Sequence, residues 1–264
     1  DLHNASFDLL RDKRYPMAPD KHTYMLRDMI MNINQTLTID SIRINDSYLH
    51  YGEYTEKSED PGTVYFTGLN AWAYNFTNDL SVIDEQTQFR INLNASVMGQ
   101  CHFQVELHFP LLREDNFFWY SARSEELDLT TLNPLTKNIM GIFITRGKGS
   151  VDIDSISGND TLATGTMMFR YKKVKLALYD REKARVDRGF FAPIMNFLIN
   201  DFAIKSNNPP FLGQDRVGLV YFERDTTKSV ANYVWKSMMS GMMSTMGFNS
   251  KEQRKEKREL KSAE

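Results

Sequence analysis

Apolar and polar side chains alternate strictly through residues 89–109, FRINLNASVMGQCHFQVELHF. The alternation holds on both sides of Gly99-Gln100, which predicts a turn that reverses the chain. A period of two is typical of a β-hairpin with one apolar and one polar face. The apolar parity consists of Phe89, Ile91, Leu93, Ala95, Val97, Cys101, Phe103, Val105, Leu107 and Phe109. A folded chain must cover such a face.

Turn signals divide most of the remaining chain into short apolar segments. Asp46-Ser47 predicts a hairpin turn, and residues 146–149 (RGKG) predict another. The segments between such signals are predicted strands: residues 36–45, 48–54, 63–69, 71–77, 117–122, 139–145, 151–156, 162–171, 174–179 and 217–223. Because these strands follow one another directly, the sequence predicts a mainly β chain arranged as an antiparallel meander.

Helical periodicity is confined to a few segments. Residues 21–31 and 190–199 predict short helices, and residues 129–135 predict one helical turn that ends at Asn133-Pro134. We find no sequence signal for a linker between large domains. The chain therefore divides into residues 1–226, a β domain, residues 227–249, an apolar Met-rich amphipathic helix, and residues 250–264, a charged tail.

The Met-rich helix permits two interpretations. Its apolar residues and the basic run that follows it (KEQRKEKRELK) suit contact with an anionic membrane or a partner protein. Alternatively, the helix covers the end of the β-structure and the tail is solvated. Lys236, Ser237, Ser240 and Ser244 form its polar strip. The residues predicted to make the membrane or partner contact are Val234, Trp235, Met238, Met239, Met242, Met243 and Met246.

Composition and motifs argue against several functional classes. A net charge of −2 provides no overall basic field for nucleic acid. The single cysteine, Cys101, is predicted to be a small buried hydrophobic residue. His102, Glu106 and His108 share one strand face. His102 and Glu106 lie roughly 13 Å apart, so only Glu106 and His108 could meet at one ion, and we predict a solvated strand face rather than a metal site. No catalytic constellation is present, and we expect neither enzyme activity nor a cofactor.

Three arrangements would remove the apolar strand faces from water. Two sheets pack as a sandwich, a closed barrel fills its own lumen, or a curved sheet stays open and an apolar ligand covers it. Periodicity favours the sandwich, but sequence spacing does not distinguish the three. The predicted helices are too few and too short to cover so many strands.

Several longer stretches resemble the C-terminal region of AsmA-like proteins of the kind found in Bacteroidetes. The similarity begins with IDSIRINDSYLHYGEYTEKSEDPGTVYFTGLNAWAYNFTN (residues 39–78) and continues with LDLTTLNPL (127–135). It extends through the segment from GND to KVKLAL (158–178) and VGLVYFERDTTKSVANYVWKSMMSG (217–241). Order and spacing agree over most of the chain, and none of these motifs is catalytic.

AsmA-like proteins belong to the repeating-β-groove, bridge-like lipid transport proteins. The resemblance implies a curved antiparallel β-sheet that forms an open groove (a half-barrel). Phospholipid acyl chains would lie on its concave face as they move between inner and outer membranes in the periplasm. It also implies that an N-terminal inner-membrane helix is absent from this chain. The predicted lining residues are Phe89, Ile91, Leu93, Val97, Phe103, Val105, Leu107, Ile142, Ile144, Val174, Leu176 and Leu178.

Two other functions are consistent with the same residues. One is a non-enzymatic structural or assembly module of the cell envelope, with a filled sandwich or barrel and a C-terminal helix that binds a partner. The other is a carbohydrate-binding β-sandwich that uses exposed aromatic residues such as Trp72 and Trp119. The contacts made by Leu93 and Val105 distinguish a groove from a filled core.

Overall fold

The computed structural model describes residues 1–15, 22–56, 58–179, 190, 192–199, 205–211 and 213–263. The strands are β1 (Leu2–His3), β2 (Ser6–Asp12), β3 (Thr38–Tyr54), β4 (Gly62–Thr77), β5 (Gln88–Val97), β6 (Cys101–Pro110), β7 (Phe118–Ser124), β8 (Leu127–Asp128), β9 (Ile142–Gly158), β10 (Leu162–Leu178) and β11 (Val217–Glu223). The helices are α1 (Leu26–Met31), α2 (Asn133–Met140), α3 (Ala192–Ile199), α4 (Val230–Met246) and α5 (Lys251–Ala263), with a 3-10 turn at Leu129–Leu132.

All eleven strands belong to one open sheet. Its main path runs β1-β3-β4-β5-β6-β7-β9-β10-β11, with β2 paired to β3 and β8 paired to β9. From β3 onward the strands are antiparallel, as predicted, but β1 and β2 both pair with β3 in parallel. The sheet is therefore mixed rather than purely antiparallel. A single unclosed sheet is neither the sandwich nor the closed barrel, and the prediction of a mainly β, open sheet with short helices is confirmed.

Two predicted turns, at Asp46-Ser47 and at residues 146–149, are wrong, because β3 and β9 continue through them as long strands, and the predicted strand pairs 63–69/71–77 and 162–171/174–179 are likewise the single strands β4 and β10. Asp46, Gly68, Gly147 and Lys173 adopt positive φ values of 43°, 57°, 138° and 54° at or beside shifts in strand register. Such β-bulges bend a strand and increase its twist. At Gly147 a side chain has no room, since an added Cβ would lie 2.8 Å from the Cα of Val174. The residues that resemble turns therefore curve the sheet.

Helix α2 shows towards which face the sheet curves. It contacts both β4 and β9, although β5, β6 and β7 lie between these strands in the sheet. An added Cβ on Gly62 of β4 would lie 2.5 Å from Cγ1 of Ile139. The predicted helical turn is present as the 3-10 turn Leu129–Leu132, which ends at Asn133, but the chain does not leave the helical conformation there, since Asn133 and Pro134 begin α2. Proline lacks an N–H and is tolerated in the first helical turn, where that donor has no intrahelical partner.

The edge of the sheet at β11 is covered by polar side chains of α4 and α5. Ser240 Oγ donates to the carbonyl of Tyr221 (2.9 Å), and the amide of Leu219 donates to Ser244 Oγ (3.1 Å). Gln253 of α5 donates to the carbonyl of Leu219 (2.6 Å). The predicted tail is therefore largely helical, and the serines of the predicted polar strip are buried against the sheet. These bonds prevent β11 from pairing with another strand.

Candidate functional site

Apolar residues form continuous rows across the concave face, because residues paired in register project to the same side of a sheet. One row comprises Leu2, Ile44, Ala71, Leu93, Val105, Ala122 and Ile153. A second row comprises Ile42, Ala73, Ile91, Leu107, Tyr120 and Ile156. The rows cross the sheet from β1 and β3 to β9.

The exposed fraction falls along both rows. Leu2 is 51% exposed at one end of the first row, whereas Ile153 is 0% exposed. In the second row Ile42 is 38% exposed and Ile156 is 0% exposed. We call the row residues on β1–β6 the open half of the concave face, and those on β7 and β9 the closed half.

Helices and aromatic packing account for the closed half. Tyr120 bonds to Ser237 of α4 at 2.8 Å, and Val220 of β11 packs close to Gly241 of the same helix. Phe118 lies 5.5 Å from Tyr233 between ring centroids. Helix α1 contributes the buried Ile30 to the same core cluster. This half is an ordinary close-packed interior.

The predicted lining residues divide between core and accessible surface. Phe89, Ile142, Ile144 and Val174 are buried, so in this structure they belong to the core rather than to an accessible lining. Phe89 packs edge-on against Phe76, with ring centroids 5.7 Å apart. The half-buried members are Ile91, Leu93, Val97, Phe103, Val105, Leu107, Leu176 and Leu178.

The half-buried residues are not equivalent. Leu176 and Leu178 pack against a second core cluster that includes Ile194 and Met195 of α3. Leu93 and Phe103 belong to neither of the core clusters found in the described part of the chain. Ile91, Val97, Val105 and Leu107 of the hairpin β5–β6 pack in part against the main core cluster, so Leu93 and Phe103 are the members of the predicted lining that lie apart from the core.

Sequence reasoning did not assign β1, β2 and β3 to this surface. Leu2, Ile42 and Ile44 continue the same rows, and Phe7 pairs with Leu49 further along β3. The alternation of Ile42 and Ile44 around Arg43 is visible in the sequence, but the predicted hairpin at residues 46–47 separated it from the second half of β3. The parallel pairing of β1 and β2 with β3 has no local sequence signal.

A polar cluster lies where the open half ends beside α2. Glu53 is 6% exposed, and its carboxylate lies 2.5 Å from Lys13 Nζ and 3.7 Å from an Arg11 nitrogen. Tyr51 donates its hydroxyl to Glu53 at 2.6 Å. Burial, and next the adjacent carboxylate, raise the pKa of Tyr51, so the phenol remains a hydrogen-bond donor. The cluster therefore places the positive charges of Arg11 and Lys13 beside the open half of the concave face.

The residues predicted for membrane or partner contact mostly face the sheet. Val234, Met238, Met242 and Met246 pack against the main core cluster, and Met243 is buried in the second cluster. Met239 is half-buried, and Trp235 is 42% exposed. The helix therefore covers the β-structure, and Trp235 is the member of this set that is left exposed.

The convex face carries the histidines and tryptophans considered from the sequence. His108 stacks on Trp119 with ring centroids 3.6 Å apart, and its Nδ1 lies 2.9 Å from Gln88 Oε1. Burial lowers the pKa of His108, so its imidazole is neutral near pH 7. Trp72 is 40% exposed. Within the described ranges, no group of three or more His, Cys, Asp or Glu side chains is arranged to hold a metal ion.

Cys101 is buried, as predicted. Its Sγ lies 3.2 Å from the carbonyl of Glu125, and burial raises the pKa of the thiol.

None of the helices in the described part of the chain combines the length and the hydropathy needed to cross a bilayer. Comparisons with protein-family models, curated proteins and solved structures find no match for this chain.

Proposed function

We propose that the open half of the concave face binds phospholipid acyl chains. The observation that carries the proposal is the fall in exposure along both apolar rows, from 51% at Leu2 and 38% at Ile42 to 0% at Ile153 and Ile156. A face that is covered at one end and bare at the other exposes a continuous apolar surface. Large exposed apolar surfaces commonly mark binding sites for proteins, membranes or ligands.

The physical chemistry of the surface suits an acyl chain. Each methylene group removed from water contributes up to about 0.8 kcal/mol, before the cost of ordering the chain. Such contact is non-directional, so a lipid can move along the rows while it exchanges one apolar contact for a similar one. Arg11 and Lys13, at the end of the open half, together carry one positive charge more than the Glu53 carboxylate with which they pair, and this excess suits a phosphate head group.

The resemblance to AsmA-like proteins supplies the biological setting of the proposal. In that setting the chain works in the periplasm of a Gram-negative bacterium and conducts phospholipids between the inner and outer membranes. The chain supports outer-membrane integrity, and no catalytic step is needed. Movement of lipid then depends on the membranes at the two ends of the path and not on a reaction at this site.

Native mass spectrometry of gently extracted protein tests the proposal. We expect phospholipid to co-purify with the wild-type chain and to be lost from the double variant Leu93→Glu/Val105→Glu. Both side chains are accessible in part, so the variant should retain its circular dichroism spectrum. The matched control is Ser96→Glu/Gln104→Glu, which places the same charges on the convex face of the same strands and should keep the lipid.

Three results would contradict the proposal. Wild-type protein without lipid would remove its basis, and a Leu93→Glu/Val105→Glu variant that retained lipid would place the lipid elsewhere. A double variant that unfolded while its convex-face control remained folded would identify an ordinary core, where an unpaired buried charge is strongly destabilising.

A non-enzymatic assembly module of the envelope is the second candidate. The observation that favours it is Trp235, which is 42% exposed on a helix where Val234, Met238, Met242 and Met246 pack against the main core cluster. Tryptophan is enriched at the centres of protein interfaces. In that case Trp235→Ala should weaken binding of an envelope protein without changing the lipid content of the chain.

A further inference from the structure

Two pairs of like charges face each other across β9 and β10. The register places Lys172 opposite Lys148 and Lys175 opposite Arg146. All four side chains are exposed on the convex face, away from the core. Like charges directly opposite each other destabilise an antiparallel pair of strands. A negative charge near either pair would offset this repulsion.

The first pair has such a charge within the chain. The carboxylate of Glu126 lies 3.5 Å from Lys148 Nζ and 3.5 Å from Lys172 Nζ. The second pair does not, since in the described part of the chain no carboxylate lies within 4.0 Å of Lys175 or Arg146. The adjacent Lys173 is also exposed, and it forms no ion pair with any residue that the structure describes. We call Arg146, Lys173 and Lys175 the basic end.

Exposed aromatic residues lie beside the basic end. Phe143 pairs with Ala177, two residues along the same face from Lys175, and is 39% exposed. Tyr179 is 51% exposed, and Lys137 Nζ lies 4.2 Å from the centre of its ring. Cations next to exposed aromatic rings are typical of surfaces that meet the head-group region of a bilayer.

We propose that the basic end docks on an anionic lipid bilayer, whose phosphate groups supply a negative charge that the described residues do not place beside the second pair. The net charge of −2 opposes long-range attraction to a polyanion, so binding depends on the local cations and the aromatic residues at the surface. Docking uses the convex face and does not require acyl chains on the concave face. A variant that no longer docks on vesicles can therefore still be tested for bound phospholipid, and a variant without bound phospholipid can still be tested for docking.

Co-sedimentation of the full chain with vesicles tests the proposal. The vesicles contain either phosphatidylcholine alone or phosphatidylcholine with about one-third phosphatidylglycerol, which supplies the anionic surface. We expect binding to the anionic vesicles only, and weaker binding as salt increases. Each basic residue near an anionic surface contributes about a fivefold change in partitioning. The double variant Arg146→Glu/Lys175→Glu should therefore bind about 25-fold more weakly or worse.

The control has the same change in net charge on the other half of the convex face. Arg43→Glu/Arg90→Glu alters two exposed arginines of β3 and β5, and it should bind the anionic vesicles within about fivefold of wild type. A single Arg146→Glu replacement should leave thermal stability unchanged or raise it, since it converts a repulsive cross-strand pair into an attractive one. The same replacement should weaken vesicle binding.

Each contrary result overturns the proposal. Equal binding to neutral and anionic vesicles would remove the role of charge, and an Arg146→Glu/Lys175→Glu variant that bound like wild type would place the contact elsewhere. A control variant that lost as much binding would show an effect of net charge alone. Retention of a short DNA duplex without binding to vesicles would identify nucleic acid as the partner instead.

Discussion

Replacing Gln253 with leucine removes the side chain that ties α5 to the free edge of β11. Gln253 Nε2 donates to the carbonyl of Leu219 (2.6 Å) and to Ser240 Oγ (2.9 Å). Its Oε1 accepts from the amide of Ser250 (2.9 Å). Gln253 is 2% exposed, and leucine has a similar volume, so the change removes hydrogen bonds without leaving a large cavity.

The loss in the free energy of unfolding depends on which polar groups the Gln253→Leu change leaves without hydrogen-bond partners. The carbonyl of Leu219, on a residue that is 4% exposed, loses its side-chain donor, which costs about 1–3 kcal/mol. Ser250 and Gln253 also form a capping box at the start of α5, because the amide of Gln253 donates to Ser250 Oγ at 3.1 Å. Losing half of it costs about 1 kcal/mol. We expect Gln253→Leu to lower the free energy of unfolding by about 2–4 kcal/mol.

Urea denaturation followed by circular dichroism measures this loss as a lower midpoint at an unchanged slope. The matched control is Lys255→Leu on the exposed side of the same helix, where one ion pair with Glu259 at 3.8 Å is lost. That pair contributes no more than about 0.5 kcal/mol. A loss below about 0.5 kcal/mol for Gln253→Leu, or equal losses for both variants, would refute the role of Gln253 at the sheet edge.

Three further changes have definite expected outcomes. Gly147→Val should lower the free energy of unfolding by more than about 2 kcal/mol in thermal denaturation, because Gly147 has φ 138° and no space for a Cβ. Asn116→Ala removes the side chain that bonds both Asp28 (2.7 Å) and Asp160 (2.8 Å), so hydrogen exchange should accelerate in α1. Burial raises the pKa of Tyr120, so stability that is complete below about pH 10 should fall as the pH rises further, with phenolate absorbance appearing together with unfolding.

The elements predicted correctly from the sequence are those whose signals are local. The β5–β6 hairpin is indicated by alternation over nine residues on each side of a glycine turn, and all nine cross-strand pairs from Phe89–Phe109 to Val97–Cys101 are formed in that register. Strand β11 has the predicted bounds, Val217–Glu223, because a continuous apolar run is bounded by polar residues. A turn at residues 159–161 also separates β9 from β10, between the predicted strands 151–156 and 162–171.

The wrong predictions share one physical cause. A residue with positive φ reverses a chain when both flanking segments pair with each other, but it produces a bulge when both flanking segments pair with a third strand. Asp46 and Gly147 resemble turn residues in the local sequence, yet neighbouring strands pair with the chain on both sides of each. The choice depends on tertiary pairing, which local propensity does not encode.

The candidate site was predicted in part for a related reason. Alternation identifies which face of a strand is apolar, so Leu93 and Val105 were assigned to the correct face. It does not determine which part of that face the helices cover. Ile142 and Val174 have the same pattern as the hairpin residues, and both are buried in the core. Which part of the face is buried depends on helices that are distant in sequence from the strands they cover. One example is α4, which packs on β10 and β11.

Simple geometry explains why part of the face is uncovered. Nine strands along the main path, spaced about 4.8 Å apart, make a sheet roughly 38 Å wide. A helix is about 10 Å across, so about four helices side by side are needed to cover it. Helix α4 has 17 residues, but α1, α2 and α3 have 6, 8 and 8. Because the serines of α4 bind the edge of β11, the one long apolar helix in the described part of the chain is fixed at that side of the sheet. The least covered surface then lies at the opposite side of the sheet, where the exposed residues of the two rows, Leu2 of β1 and Ile42 of β3, are found.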